Sequence, residues 1–419
     1  MILTFVKFLD KKQINYCFTN GYQDLSKFDN NEHDHDILFK KNDFFLIDEI
    51  LRDFANQNDY KIVQCYHQGP FAKNFFIYDP NTDQILNLDL YGVLERKSIE
   101  FANEGEIFRR RVFRNGISTL APDIEFIFYF VKKMEKRQLH KKTFDLLREL
   151  YSENENLCNA QIERHFRGSF GVIIAAFKNA HFKTLEQNQE KCLRDFESSR
   201  NTKLSLNEFP RLFKRATNPT GLIISFLGPD GAGKSTIISK LEDQILPFRR
   251  RSYFHLRPKL TKGERTVAPV LNPHNSPCYG APKSILKLFY FVFIYNFGWI
   301  RNIFPLKIRS SLVIFDRFYD DIIADNKRYR YGANLIFAKF FKNFIPKPDI
   351  CFILISDANV IYSRKQEIEY EELRRQIRAY RELAVDDSYH VIDANNSPED
   401  ITKEIKIIMM ERMNDRYRV

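Results

Sequence analysis

The sequence predicts an α/β chain in two main parts: a C-terminal doubly wound domain on a parallel sheet, and before it an α+β region that runs into a helical extension. Three observations predict this. From Leu222 onward the apolar runs LIISFL, SYFHL, SLVIF, ICFILI and YHVI alternate with helical or loop segments, the pattern of parallel strands covered on both faces. Upstream, short helix-like and strand-like runs alternate to about residue 100, and helical periodicity takes over from Pro122. At 419 residues the chain also exceeds the usual size of a single core.

The elements follow in order. Phe44-Phe45-Leu46-Ile47 with Ile50 and Leu51 make an amphipathic stretch, and KIVQCYH, NFFIYD and QILNLDLYG read as strands. The helical run covers Ile124 to Phe130 and continues to Leu146-Leu147, with a basic polar side in KKMEKRQLHKK. Residues 155 to 215 hold further helical pieces, and Asn218-Pro219 breaks the chain just before a new strand. The expected divisions are therefore 1–155, 156–218 and 219–419. In the last division SILKLFYFVFIYNFGWI, residues 284–300, reads as a helix with aromatic residues at nearly every turn. It fits either a helix buried against the sheet or a membrane-interface helix, since Lys283, Arg301, Lys307 and Arg309 flank it.

Composition narrows the class. With 44% hydrophobic and 28% charged residues the chain is globular, not disordered, although 40 Phe and 20 Tyr are unusual. A formal charge of +11 favours an anionic partner, yet no DNA- or RNA-reading motif accompanies it, so no specific nucleic acid is expected. Six scattered cysteines without a C-x-x-C pair read as reduced thiols of a cytosolic protein. The opening MILTFVKFLDKKQ is too short an apolar run for a secretory signal, and nothing reaches the roughly 18 apolar residues of a spanning helix. The expected location is the cytoplasm, with peripheral contact at the inner face of the membrane if the aromatic helix meets lipid.

The chemistry concentrates in Gly228-Pro229-Asp230-Gly231-Ala232-Gly233-Lys234-Ser235, which follows an apolar strand and opens a helix expected from Thr236 onward. Each residue type answers a physical demand. Glycines let backbone amides, those of Gly228, Gly231, Ala232 and Gly233 among them, curl round a polyphosphate. The helix start adds partial positive charge. Lys234 reaches the outer phosphates, and the Ser235 hydroxyl can hold Mg²⁺. A second strand, Ser311 to Phe315, delivers Asp316 and Arg317 at its C-terminal end, where open α/β sheets bind ligands. Asp316 can orient Mg²⁺, and Arg317 can neutralise phosphate charge.

The loop GPDGAGKST, the later FDRF, the strand PKPDICFILI and the closing VIDANNSPED resemble the thymidylate kinase family of nucleoside monophosphate kinases, across about residues 219–410. The resemblance implies a phosphotransferase that uses ATP and Mg²⁺, acts on a nucleoside monophosphate or related small molecule, and forms a homodimer. It also implies that Asp230 lies near the acceptor's sugar and Arg317 at the acceptor phosphate. Asn395 would lie against adenine, and a lid after Ile355 would supply catalytic arginines, Arg364 first, with Arg374, Arg375 and Arg378 behind it. Two departures stand out. The lid segment Ser363-Arg364-Lys365-Gln366-Glu367 is short, and the acceptor strand ends in His255-Leu256-Arg257-Pro258 where that family carries Arg-Glu-Pro-Gly. Two other functions therefore stay open, a kinase for sugar or lipid-linked glycan acceptors in surface polysaccharide synthesis and a nucleotide-binding regulator with little turnover.

In the N-terminal part Asp34 and Asp36 sit two apart at the start of an apolar strand, so both point to one side of it, and Asp89 sits in another strand. Three converging carboxylates are what two metal ions about 4 Å apart require for nucleotidyl transfer. Together with Asn20-Gly21 they resemble the nucleotidyltransferase superfamily over about residues 1–155. The alternative is such a fold without catalysis.

Overall fold

The computed structural model describes residues 1–19, 34–198, 213, 215–258, 276–366 and 368–417. The chain forms two compact units, Met1–Arg211 and Leu212–Val419.

The first unit carries a mixed sheet of seven strands. These are β1 (Tyr16–Phe18), β2 (His35–Phe39), β3 (Lys61–Gly69), β4 (Ala72–Asp79), β5 (Gln84–Tyr91), β8 (Val112–Arg114) and β9 (Ile117–Thr119), while β6 (Glu95–Arg96) and β7 (Ile99–Glu100) form a small separate hairpin. Their order is β3-β4-β5-β2-β1-β9-β8. The three strands expected from the alternating runs are β3, β4 and β5. β2 and β5 run parallel, which sets Asp36 directly beside Asp89.

The Pro122–Glu135 helix is buried nearly all round, with Asp123, Glu125 and Lys132 buried alongside its apolar residues. Phe177 gathers its neighbours: its ring lies 5.0 Å from Phe126, 5.1 Å from Phe144 and 5.4 Å from Tyr151. The helices Glu155–His165, Phe170–Lys178 and Phe182–Ser198 share this one core. The segment expected as an extension from residue 156 packs as part of the first unit, with Cys158, Phe166, Phe177, Cys192 and Phe196 buried in its core. Much of the high Phe content is spent here.

The second unit is built on five parallel strands, β10 (Leu222–Leu227), β11 (Arg250–His255), β12 (Ser311–Asp316), β13 (Ile350–Ile355) and β14 (Tyr389–Asp393), ordered β11-β12-β10-β13-β14. The three central strands are buried at every position, as continuous apolar runs require when both faces are covered. β10 lies at the centre, so the loop that follows it opens at the C-terminal edge between the ends of β12 and β13. The aromatic segment forms the Ala281–Gly298 helix and continues into a π-helical turn, Trp299–Ile303. It is half-buried: Leu288, Phe291, Ile294 and Tyr295 face the protein, while Leu286, Phe289, Phe293 and Phe297 are exposed. Among the described residues no helix is long and apolar enough to cross a membrane.

Candidate active site

The loop after β10 needs glycine at two places. A Cβ on Gly228 would sit 2.3 Å from the Leu354 carbonyl oxygen of the neighbouring strand, and Gly233 has a φ of +89°. Gly233 is the residue before the Lys234–Asp243 helix and brings no side-chain cap, so the first amides of that helix stay available. The helix begins two residues earlier than the expected Thr236. Lys234 is buried and folds back over the loop, donating to the Gly228 carbonyl at 2.7 Å and the Pro229 carbonyl at 2.9 Å. Burial, with the Arg317 guanidinium nearby, pushes its ammonium down to about 8.

A cavity of about 580 Å³ opens in front of this loop, within the usual size of small-ligand pockets. Asp230, Gly231, Ala232, Gly233, Lys234, Ser235 and Thr236 line it, and so do Asp316, Arg317 and Arg364. Asp316 ends β12 and is buried. The Tyr253 hydroxyl donates to its Oδ2 at 2.9 Å, and its Oδ1 has no hydrogen-bond partner. An anionic oxygen buried without a partner is costly unless a cation completes it. Asp316 and Ser235 in one cavity wall therefore fit a Mg²⁺ ion.

Arg317 takes a left-handed backbone, φ +72°, at the turn out of β12, an uncommon conformation for a non-glycine residue that tends to mark functional sites. Its guanidinium is held between two carboxylates, Asp321 at 3.0 Å and Asp230. Arg328 takes the other oxygen of Asp230. Burial alone would raise the Asp230 carboxyl, but Arg317, Lys234 and Arg328 hold it well below the usual carboxylate range. Asp321 lies deeper and also accepts from the Tyr380 hydroxyl at 2.8 Å.

Two expected contacts fall differently. Gly228 supports the loop but does not line the cavity. Asn395 is exposed but its amide is engaged by neighbours, its Oδ1 accepting from the Ser356 hydroxyl at 2.6 Å and its Nδ2 donating to Asp393 at 2.8 Å, and Ala394 and Asn396 line the cavity there. A bend after a strand lets only some side chains face outward, and spacing alone does not say which. Arg374 pairs with Glu371, and Arg375 with Glu372 and the Ala324 carbonyl, so neither lines the cavity. Glu367 of the lid segment lies outside the described residues. His255, noted in sequence only as part of the acceptor strand, reaches the cavity, and so does Lys365 beside Arg364. Sequence reasoning missed Arg328. The basic run KRYRYG was its only signal, and it does not show which cation turns inward.

In the first unit the acidic cluster is engaged by protein groups. Lys132 donates to Asp36 Oδ2 at 2.6 Å and the Tyr91 hydroxyl to Oδ1 at 2.8 Å. Asp89 Oδ1 accepts from Asn74 at 2.5 Å and Gln68 at 3.0 Å, and Asn87 donates to Asp34. Burial, then the Asp36 and Asp34 charges, push Asp89 up to about 6. Among the described residues no group of three metal-ligating side chains is placed to hold an ion. Asp36 and Asp89 nevertheless stand side by side on neighbouring strands and the Asp34 charge reaches Asp89, so the three expected carboxylates are brought together, with Lys132 as the countercharge among them. Asn20-Gly21 lies outside the described residues.

A parallel sheet with a phosphate-cradling loop on its central strand, a cation-ready carboxylate and convergent arginines defines a P-loop phosphotransferase. Residues 226–405 match the thymidylate kinase family, so the C-terminal half of the chain holds a thymidylate kinase domain. A probable thymidylate kinase of Pyrobaculum aerophilum is 28% identical over 195 residues, which cover 43% of this chain and 93% of that protein. The thymidylate kinase of Lactobacillus helveticus is 26% identical over 217 residues, 47% of this chain and 99% of that protein. The solved thymidylate kinase of Ehrlichia chaffeensis aligns with 45% of this chain and 97% of its own at 19% identity and a TM-score of 0.30, too low to add weight. Enzymes of this family use ATP and Mg²⁺.

Proposed function

We propose that the second unit moves the terminal phosphoryl group of ATP to the phosphate of a nucleoside monophosphate, dTMP being the first to test. The observation that carries this is the partnerless Asp316 Oδ1 in the wall of the cavity that Ser235 and Lys234 also line. Ser235 and Asp316 would hold Mg²⁺, which would neutralise charge on the phosphoryl oxygens. The amides of Gly231, Ala232, Gly233 and Thr236 cradle the donor's phosphates. Lys234 leaves the Gly228 and Pro229 carbonyls for the phosphoryl being transferred, and Arg364 and Lys365, which also line the cavity, add positive charge beside it. Ala394 and Asn396 border the donor's base. Arg317 receives the acceptor phosphate, with Asp230 setting its orientation and standing by the acceptor's sugar. The reaction forms one P–O bond to the acceptor and breaks the β–γ bond of ATP.

The test is ADP release with Mg²⁺-ATP and a panel of nucleoside monophosphates, set beside sugars and glycans. Turnover that one nucleotide stimulates and that Lys234→Ala abolishes supports the reading. Stimulation only by a glycan, or by nothing, overturns it.

For the first unit the reading is a nucleotidyltransferase-like fold without a two-metal centre. What supports it is the Lys132–Asp36 pair, in which the chain's own ammonium already neutralises one of the three carboxylates. Nucleotidyl transfer by the full-length Lys234→Ala protein, lost in Asp36→Asn, would overturn it.

A further inference from the structure

From the contacts of Asp316 we infer that Tyr253 is a positioning residue of the metal site: its hydroxyl fixes the Asp316 carboxylate so that the other oxygen is offered to Mg²⁺. The inference rests on the reading of Asp316 and Ser235 as the metal's ligands and adds a residue that stands behind them. Tyr253 does not line the cavity and reaches the site through Asp316. The register of the sheet explains how. β11 runs parallel to β12 and sets Tyr253 beside Ile314, Phe254 beside Phe315 and His255 beside Asp316. Side chains alternate along a strand, so Tyr253, His255 and Asp316 share one face, while the Phe254 and Phe315 rings stack on the other at 5.3 Å. Asp316 is thus the diagonal neighbour of Tyr253 on the adjacent strand, a separation that an aromatic side chain spans. The phenol closes it with the 2.9 Å bond to Oδ2. At the end of β11 the Leu256 amide donates to the Asp316 carbonyl, also at 2.9 Å, from a left-handed backbone with φ +61°. Strand pairing and this turn together hold the phenol and the carboxylate in one fixed relation.

What the contact does follows from the donor being neutral. A lysine or arginine on Asp316 would spend the charge that draws a metal ion, as Lys132 does on Asp36. The arginine next in sequence is kept away: Arg317 leaves the strand in a left-handed conformation and gives its guanidinium to Asp321 and Asp230. A phenol instead orients the carboxylate and leaves its charge in place. Oδ2 is engaged, and Oδ1, buried without a partner, keeps its direction. A hydrogen bond behind a metal ligand orders that ligand before the ion arrives, and its loss commonly costs about ten- to a hundredfold in metal affinity. Tyr253 is itself exposed, so Tyr253→Phe removes the hydroxyl and keeps the ring without opening a cavity in the core.

The test is a titration of Mn²⁺, a paramagnetic substitute for Mg²⁺, onto the full chain with ADP, read from the electron-spin signal of the free ion. Tyr253→Phe should weaken the ADP-dependent Mn²⁺ binding about tenfold, and Asp316→Asn should weaken it further. Adding Tyr253→Phe to Asp316→Asn should cost nothing more, because the hydroxyl acts through the carboxylate. In EDTA, calorimetry should show each variant binding ADP as the unaltered protein does. If Asp316→Asn weakens Mn²⁺ binding and Tyr253→Phe does not, or if the two losses add in the double variant, the inference is overturned while the reading of Asp316 stands. Weaker metal-free ADP binding in Tyr253→Phe also overturns it, since the hydroxyl would then serve the loop and not the ligand. If neither substitution moves Mn²⁺ binding, the metal is not at Asp316 and both readings fall.

Discussion

Both units bury a carboxylate at a strand beside a cation, and they treat it in opposite ways. In the second unit Asp316 gives one oxygen to Tyr253 and keeps the other without a partner, while the nearby cations Arg317 and Arg328 are drawn to a different acid, Asp230. In the first unit Asp36 gives one oxygen to Lys132 and the other to Tyr91. Ligand chemistry depends less on having an acid at a strand end than on whether its neighbours leave an oxygen to offer. A cation supplied by the chain satisfies a buried acid once and for all, whereas an unsatisfied one is a place for a cation from solution.

The sharpest way to break this comparison is to remove the resident cation. Lys132→Met should destabilise the first unit by about 3–5 kcal/mol, because Asp36 is left buried and unpaired, whereas Asp36→Asn with Lys132→Met should recover most of that. Urea unfolding of the two variants decides, and an equal loss in both would mean that packing, not charge, was at stake. In the second unit Asp316→Asn should leave the fold intact and lower turnover about a hundredfold, and steady-state kinetics over a Mg²⁺ titration should show the loss eased at high metal.

Arg328→Gln is a finer probe. It frees one oxygen of Asp230 and leaves Arg317 in place, so KM for the acceptor should rise about tenfold, with a smaller change in kcat. A change confined to KM for ATP would place Arg328 on the donor side instead.

The smallest effect concerns pH. Asp89 titrates near 6 in the folded unit and near 3.8 as an ordinary carboxyl, so between those values the folded state holds the extra proton. Stability from this group is therefore lost as pH rises through 6 and regained on acidification. Taking the protein from pH 7 to pH 5 should favour the first unit by on the order of 1 kcal/mol relative to Asp89→Asn. Urea midpoints of the two proteins at both pH values measure it.

Much of this was legible in the residues. The five runs LIISFL, SYFHL, SLVIF, ICFILI and YHVI are the five parallel strands, since uninterrupted apolar stretches of that length suit a sheet covered on both faces. The residues Asp230, Gly231, Ala232, Gly233, Lys234, Ser235 and Thr236, with Asp316, Arg317 and Arg364, were marked by motif and meet in one cavity. Arg328, and the substitution of Asn396 for Asn395, were not legible. Each depends on which way a turn throws its side chains, and several cations in KRYRYG are equivalent until the chain folds.

The sequence by itself determined the parallel sheet, the phosphate loop and the acids and cations at the strand ends, because these follow from local pattern and from residue chemistry at fixed spacing. Only the tertiary structure decided which of those acids keeps an open oxygen. Lys132 comes from a helix 96 positions away from Asp36, and Tyr253 from the strand beside Asp316. Such partners are chosen by packing over long separations, which no local pattern records.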